Sequence, residues 1–285
     1  MKKNIFSLLV ISIFLSTACH QKAESQSDSS EMETFTFSLR QDSCYFLMET
    51  DPNGLQEVWG LENKYSVQWL NETLPREVEQ ELLSLLFKDT TASNFDEAAT
   101  RWIQFNYCED LWQDNMQFKS SSMVNSSLMK EVHLLCDNYV ENKITVDENL
   151  VEFSIFEEAY MGGAHGVHYW HTRTYDRNTG HIIRFSDLVD TTDFSEVITR
   201  AIEDLEVNKM VRECVFDEDM HKDFRIPSDF YIDSTRSTIT LIYQIYEIAC
   251  YACGTQEVVL PIFWLSKHRN ITPYAKEIFG EGSSL

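Results

Sequence analysis

The sequence predicts an α+β fold: antiparallel sheet, in one or more layers, with helices packed on one side. Three observations predict it. Polar and apolar residues alternate in several runs, so that Val167, Tyr169, His171, Arg173 and Tyr175 share one face of an extended segment, the period of a half-buried strand. Other stretches repeat apolar residues at helical spacing, as in Val78, Leu82, Leu85 and Leu86. The two kinds of segment are grouped rather than strictly alternating, which argues against a doubly wound parallel sheet. With 43% hydrophobic and 13% aromatic residues in 285, the chain has enough apolar mass for a sizeable core and is unlike a disordered one.

The chain begins with a targeting pattern. Lys2 and Lys3 precede an apolar run, Ile5 to Leu15, too short to span a bilayer comfortably. Ser16-Thr17-Ala18-Cys19 then resembles a lipobox, although Ser16 stands three positions before the cysteine, where Leu is usual, and Leu15 lies one further back. The expectation is a signal peptide over residues 1–18, cleavage before Cys19 and fatty acylation (palmitate) of its thiol, which anchors the protein to a membrane. His20 follows the cysteine in place of the aspartate that retains lipoproteins in the inner membrane. The expected location is therefore the cell envelope, as an outer membrane lipoprotein facing the periplasm or the surface. The competing reading is a cleaved, secreted protein without lipid. Residues 19–33, rich in Ser, Gln and Glu, read as a flexible tether.

Residues 34–143 form the next region. Phe35, Phe37 and Leu39 alternate, Cys44 to Met48 extends or adds a strand, and Asp51-Pro52-Asn53-Gly54 is a strong turn signal before a further strand to Leu70. Pro75 suits the opening of a helix carrying the Val78–Leu86 stripe. Asn94-Phe95-Asp96-Glu97 has the form of a capping box for a second helix with Phe95, Ala98, Trp102 and Ile103 on one face. Val124, Leu128, Val132, Leu135 and Tyr139 predict a third helix over 123–140.

Residues 144–285 form the last region. Ile144 to Glu157 reads as strand. The stretch Tyr160-Met161-Gly162-Gly163-Ala164-His165-Gly166 follows, then the alternating run Val167–Tyr175, with His168, Trp170, Thr172 and Thr174 on its other face. Asp176 to Gly180 closes a hairpin with Gly180 at positive φ, and His181–Phe185 returns. A helix boxed by Asp193 and Glu196 buries Phe194, Val197, Ile198, Ala201, Ile202 and Leu205. Residues 206–223 read as helix end and loop. Strands are expected over 224–232, 238–248 (half-buried) and 256–265, where Pro261 marks an end or an edge, and a short helix over 271–279.

The formal charge is −23. Nucleic acid is a poor partner for such a chain, since binding it relies on Lys and Arg at the phosphates. An acidic surface keeps a protein soluble and also steers in basic partners. Six cysteines follow Cys19: Cys44, Cys108, Cys136, Cys214, Cys250 and Cys253. An oxidising compartment permits disulfides, and their pairing is not legible. Cys250-Tyr251-Ala252-Cys253 lies between strand-like runs rather than at a helix start, so free thiols or a local disulfide are expected before a thioredoxin-like site.

Gly162-Gly163-Ala164-His165-Gly166, with Tyr175-Asp176, Thr179-Gly180 and Phe185-Ser186-Asp187-Leu188, and then Tyr246-Glu247-Ile248-Ala249, Tyr251-Ala252 and Gly254, resemble the two blocks of the DUF3298 family over residues 144–265. Family members include envelope lipoproteins and RsiV-like, lysozyme-sensing anti-sigma factors. The preceding region 34–143 loosely resembles DUF4163. The resemblance implies a non-enzymatic envelope binding domain, with lysozyme or a cell-wall glycan such as peptidoglycan as partner and no cofactor. The family commonly has Pro where Cys250 stands and a small residue where Cys253 stands, so these cysteines fall outside it.

The candidate binding or structural loop comprises Tyr160, Gly162, Gly163, His165, Gly166, His168 and Trp170. His165, His168 and His171 suggest a metal site, but on a strand His168 points away from His171. His165 is expected to hydrogen-bond the glycine backbone around it. No G-x-S-x-G elbow is present, and Glu157 and Glu158 face opposite ways on a strand. An envelope hydrolase or peptidoglycan deacetylase-type enzyme is the rival reading. Asp89-Thr90-Thr91, Asp190-Thr191-Thr192 and Asp233-Ser234-Thr235 have the form of periplasmic O-glycosylation sites.

Overall fold

The computed structural model describes residues 36–49, 58–105, 118–120, 132–161, 164–215, 224–269 and 271–279. The expected signal peptide and tether, Cys19, Cys108, the turn 51–54, Gly162 and Gly163 lie outside them. The described chain is α+β, with two sheets and two hydrophobic cores.

The first sheet opens with β1 (Phe37–Glu49) paired antiparallel to β2 (Val58–Leu70). Helices α1 (Arg76–Phe87) and α2 (Phe95–Ile103) follow. The short β3 (Phe118–Ser120) pairs with the outer side of β1. Then come β4 (Val132–Asp147), β5 (Leu150–Tyr160), β6 (Val167–Asp176) and β7 (His181–Ile182). The order is β3-β1-β2-β4-β5-β6-β7. All pairs are antiparallel except β2 with β4, which run parallel because the chain crosses over between them.

One face of this sheet buries Val67, Val140, Val151, Phe153 and Ile155 against α1 and α2. Of the expected stripe, Val78, Leu82 and Leu86 are buried in α1, whereas Leu85 is only partly buried and Leu83, outside that stripe, is fully buried. Pro75 sits at the N-cap position, just before the first turn. Asn94 caps α2 by accepting from the Glu97 N–H, and Glu97 reaches back to the N–H of Ser93. Tyr65, Phe87 and Phe95 pack edge to face, with Phe87 and Phe95 centroids 5.2 Å apart.

The helix expected over 123–140 is not formed where the structure describes it: residues 132–140 belong to β4. Cys136, Asn138 and Val140 are buried at a period of two. The strand pattern is disguised because one inward position is polar. Asn138 is satisfied by donating to Asn63, which itself donates to the carbonyls of Ile103 and Phe105. That exchange is tertiary, and local spacing does not reveal it. The strand expected over 144–157 is a hairpin, because β4 ends at Asp147 and β5 begins at Leu150, with Glu148 at φ 49° in the turn. The boundary drawn between residues 143 and 144 thus falls inside β4.

The second sheet is antiparallel, in the order β10-β9-β8: β8 (Asp229–Ile232), β9 (Thr238–Tyr243) and β10 (Gln256–Pro261). Its core includes residues of α3 (Phe185–Leu188), α4 (Phe194–Asp204), α5 (Lys209–Cys214), α6 (Ile262–His268) and α7 (Pro273–Phe279). The return strand is shorter than expected, since β7 stops at Ile182 and Phe185 already begins α3. Asp193 occupies the N-cap of α4 at φ 51° without a side-chain cap, so the expected box does not form. β9 is buried on both faces rather than half-buried, Thr240 and Ile242 nearly as fully as Ile239 and Leu241, because structure packs on its second face as well. β10 ends at Pro261, on an edge, and residues 262–265 turn into α6.

Candidate functional site

The two sheets meet at the outer edge of β6. β7 pairs only with Tyr175 and Asp176. Upstream, side chains replace a strand. The Gln244 amide accepts from the N–H of Trp170 (3.0 Å) and donates to its carbonyl (2.5 Å). Asp229 Oδ1 accepts the N–H of Thr172 at 3.1 Å. Thr172 donates its hydroxyl to the Phe230 carbonyl. An exposed sheet edge is thus blunted without a further strand.

A cleft of about 400 Å³ opens beside this junction. Tyr169 and His171 from β6 form one wall, and Pro227–Asp229 with Gln244–Glu247 form the other. Asp229 is 4% exposed. Besides Thr172 it accepts from His171 Nδ1 (3.1 Å), Arg173 (2.7 Å) and Gln244 (3.3 Å). Burial pushes its carboxyl upward, but His171 and Arg173 outweigh burial and hold it below the ordinary carboxylate value. An ionised Asp229 assigns the His171 proton to Nδ1. His171 Nε2 lies 3.9 Å from Glu157, which also pairs with Lys88. Glu247 behaves oppositely. Burial raises its pKa, the Gln244 N–H it accepts at 2.7 Å opposes this, and the nearby Asp229 charge adds to it. The cleft therefore holds one carboxyl pushed down and one pushed up.

Glu247 N–H donates to the Gln244 carbonyl while Glu247 accepts from Gln244 N–H. These reciprocal bonds tie a tight turn that projects Tyr246, 60% exposed, at φ 67°. A bulky residue in the left-handed region is uncommon and marks a position the surrounding structure imposes.

His165 is exposed, with Nδ1 3.0 Å from the Gly166 carbonyl. Its ring stacks on Tyr251 at 3.8 Å and 19°, and the Tyr251 hydroxyl donates to the same carbonyl. Tyr251 in turn lies 5.8 Å from Tyr246. Gly166 allows a close approach, since a Cβ there would sit 3.1 Å from the Ala159 carbonyl oxygen. His168 and Trp170 lie on the opposite face of β6 from Tyr169 and His171. Both pack on Phe156, and Trp170 stays 43% exposed. Tyr160 ends β5, partly buried. The structure thus brings His165 and Gly166 to the second sheet and leaves His168 and Trp170 as a separate patch. Among the described residues no group of three His, Cys, Asp or Glu side chains is placed to hold a metal ion.

Sequence reasoning missed Asp229 and Gln244. Neither belongs to a recognisable motif, and the meeting of the sheets gives them their partners on β6. Tyr246 and Glu247 carried a signal, because they open the second of the two blocks.

Residues 187–262 match the family model described as "Protein of unknown function (DUF3298)". This segment is a DUF3298 domain. It includes Asp229, Gln244–Glu247 and Tyr251, and it starts after His165 and His171, so the match is narrower than the expected 144–265. The fold is similar to that of a DUF3298 family protein from Pseudomonas aeruginosa PAO1, with TM-score 0.54 and 15% identity, covering 85% of this chain and 97% of that one. It is also similar to a DUF3298 member from Bacteroides fragilis, with TM-score 0.53 and 16% identity, covering 88% and 100%. At these identities the likeness shows the fold alone. A search of curated proteins finds no match.

Proposed function

We propose that this is a lipid-anchored binding protein of the cell envelope, held through Cys19, whose DUF3298 domain takes a cell-wall glycan fragment in the cleft between Tyr169/His171 and Tyr246/Glu247. The observation that carries the reading is the strained, exposed Tyr246, beside Tyr251 and near His165, on a cleft of mixed polar and apolar lining. Aromatic faces with a few placed hydrogen-bonding groups suit a sugar ring, apolar on its faces and polar at its rim. By the same reading the region 34–143 is DUF4163-like and the whole is RsiV-like. The calorimetric test titrates soluble peptidoglycan fragments into the protein: binding should depend only weakly on salt and fall at least tenfold in Tyr246→Ala. Absence of binding refutes the glycan reading.

The charge of −23 favours a second reading, a basic protein partner such as lysozyme. That association should weaken steeply between low and high salt. The opposed shifts of Asp229 and Glu247 beside His171 favour a rival, an envelope hydrolase or deacetylase-type enzyme. Turnover of a wall polymer that disappears in His171→Ala would establish the enzyme over the binding protein.

A further inference from the structure

Three cysteines beside the second sheet gather at one place. Cys250 and Cys253 bracket a single 3₁₀ turn, Tyr251–Cys253, closed by the Cys253 N–H donating to the Cys250 carbonyl at 3.0 Å. This turn brings the two sulfurs to 3.8 Å. Cys253 also shares a hydrogen bond with the thiol of Cys214, the last residue of α5. All three are free thiols, whereas Cys136 in the first sheet is disulfide-bonded. Cys250 is exposed, and Cys253 and Cys214 are half-buried.

We propose that Cys250-Tyr251-Ala252-Cys253 is a redox-active dithiol that exchanges with disulfide substrates, Cys250 attacking and Cys253 resolving. Exposure makes Cys250 the sulfur a substrate reaches first. Its thiolate meets the Cys253 thiol and the N–H groups of Cys253 and Ala252, which together hold its pKa below the ordinary thiol value. Cys253 is pushed the other way, to about 12, by the Cys214 thiol first, then by burial and by Cys250. The asymmetry makes Cys250 the first of the two to be a thiolate. A disulfide needs about 2.05 Å between sulfurs. The turn already folds Cys253 back on Cys250, so side-chain rotation supplies the approach.

The exchange balances with an organic disulfide of the glutathione class as oxidant. The Cys250 thiolate attacks one sulfur of the disulfide and expels the other as a thiolate, which takes up a proton. Cys253 then loses its proton and attacks the Cys250 sulfur, expelling the second thiolate. Two protein thiols become one disulfide, and one disulfide becomes two thiols. A dithiol reductant reverses both steps.

The test equilibrates the full chain in mixtures of reduced and oxidised glutathione, quenches with acid, alkylates the remaining thiols and maps the products by mass spectrometry. Wild type should form a Cys250–Cys253 bridge that a dithiol reverses, and reduced protein should alkylate at Cys250 at least tenfold faster than at Cys253. Cys253→Ser should accumulate the glutathione mixed disulfide at Cys250 at least tenfold above wild type. The wild-type map decides by itself should that variant misfold. Cys250 and Cys253 remaining thiols throughout, carrying glutathione without bridging, or a bridge from Cys214 to Cys253 with Cys250 unreacted would each overturn the proposal.

Discussion

His171 Nδ1 lies 3.1 Å from Asp229 Oδ2, and through this contact the two sheets share one buried charge network. Asp229 also takes Arg173, Arg173 reaches Glu81 on α1, and Glu81 holds Arg184. Burial pushes Glu81 upward, and Arg184 and Arg173 more than offset it, so its pKa is lowered. The side chains of Arg173 and Asp229 are 12% and 5% exposed. Removing Asp229 takes one of two carboxylates from the buried Arg173, which keeps Glu81, so the cost should fall below the roughly 3–5 kcal/mol of a fully stranded buried charge. Asp229→Ala should therefore lower the urea midpoint with an unchanged slope, and Asp229→Asn should cost less. An Asp229→Ala midpoint equal to wild type would show that the pair contributes nothing to holding the sheets.

Gln244 stands in for a strand at Trp170. In Gln244→Ala the Trp170 N–H and carbonyl lose both partners at an exposed position where water can take over, so the cost should be about 1 kcal/mol or less. Amide exchange at Trp170 should accelerate, while exchange in β9, the central strand of its sheet, should not. Equal protection at Trp170 in both proteins would count against the edge-closing role.

Much of this arrangement was legible in the chain. The stripe of α1, the cap at Asn94 and the alternation of β6 are local, so spacing alone reveals them. β4 was not legible because Asn138, a buried polar residue, interrupts its inward face and needs Asn63, 75 positions away, to satisfy it. The double burial of β9 depends on what packs on its second face. The cleft was least legible, since Asp229 and Gln244 become a site only where the two sheets touch. The three Asp-(Thr/Ser)-Thr tripeptides show the reverse case, a motif with a local explanation. In each, the Asp side chain accepts the N–H and hydroxyl of the Thr two positions on, at Thr91, Thr192 and Thr235.

Two of those aspartates add to the acid limb of stability that Asp229 and Glu81 also shape. Asp89 is held at about 2 by the Thr91 N–H and hydroxyl first, with Arg101 and Ala92 assisting. Asp233 is pushed up by burial, but bonds from Thr235 and Thr238 bring it to about 2. An unfolded aspartate titrates near 3.9. Their contribution is therefore complete above about pH 4 and lost as pH falls toward 2. Glu152 and Glu247, raised chiefly by burial, act with the opposite sign and favour the folded state as they protonate. Melting temperature should fall steeply below about pH 4, and Asp89→Asn with Asp233→Asn should flatten that limb. An unchanged slope in the double variant would place the acid sensitivity elsewhere.

Gly180 closes the β6–β7 hairpin at φ 71°, donating its N–H to the Asp176 carbonyl at 2.7 Å. A Cβ there would meet Pro75 Cγ at 3.0 Å, so substitution strains the backbone and also presses on the start of α1. Gly180→Ala should cost about 1–2 kcal/mol from the backbone term alone. Thermal unfolding of Gly180→Ala in the wild-type and in a Pro75→Ala background separates the two effects, because the second background removes the Cγ that the new Cβ would press on. Equal losses would mean that the Pro75 contact yields freely.

Tyr246 combines strain with exposure, and the two pull a substitution in opposite directions. Its φ of 67° costs a non-glycine residue about 1–2 kcal/mol. At 60% exposure it recovers little of that through packing, apart from its contact with Tyr251. The proposed binding role gives such a ring a purpose, because it places the ring against a ligand outside the protein. Tyr246→Ala keeps the strain and loses the ring, whereas Tyr246→Gly loses both. Both variants should therefore bind peptidoglycan fragments at least tenfold more weakly, yet Tyr246→Gly should be the more stable by about 1 kcal/mol after its greater unfolded-state freedom is set against the relief. Calorimetry and thermal unfolding on the same pair read the two effects separately. If Tyr246→Gly is no more stable than Tyr246→Ala, the turn is unstrained at this residue and strain gives no reason to assign the ring to binding.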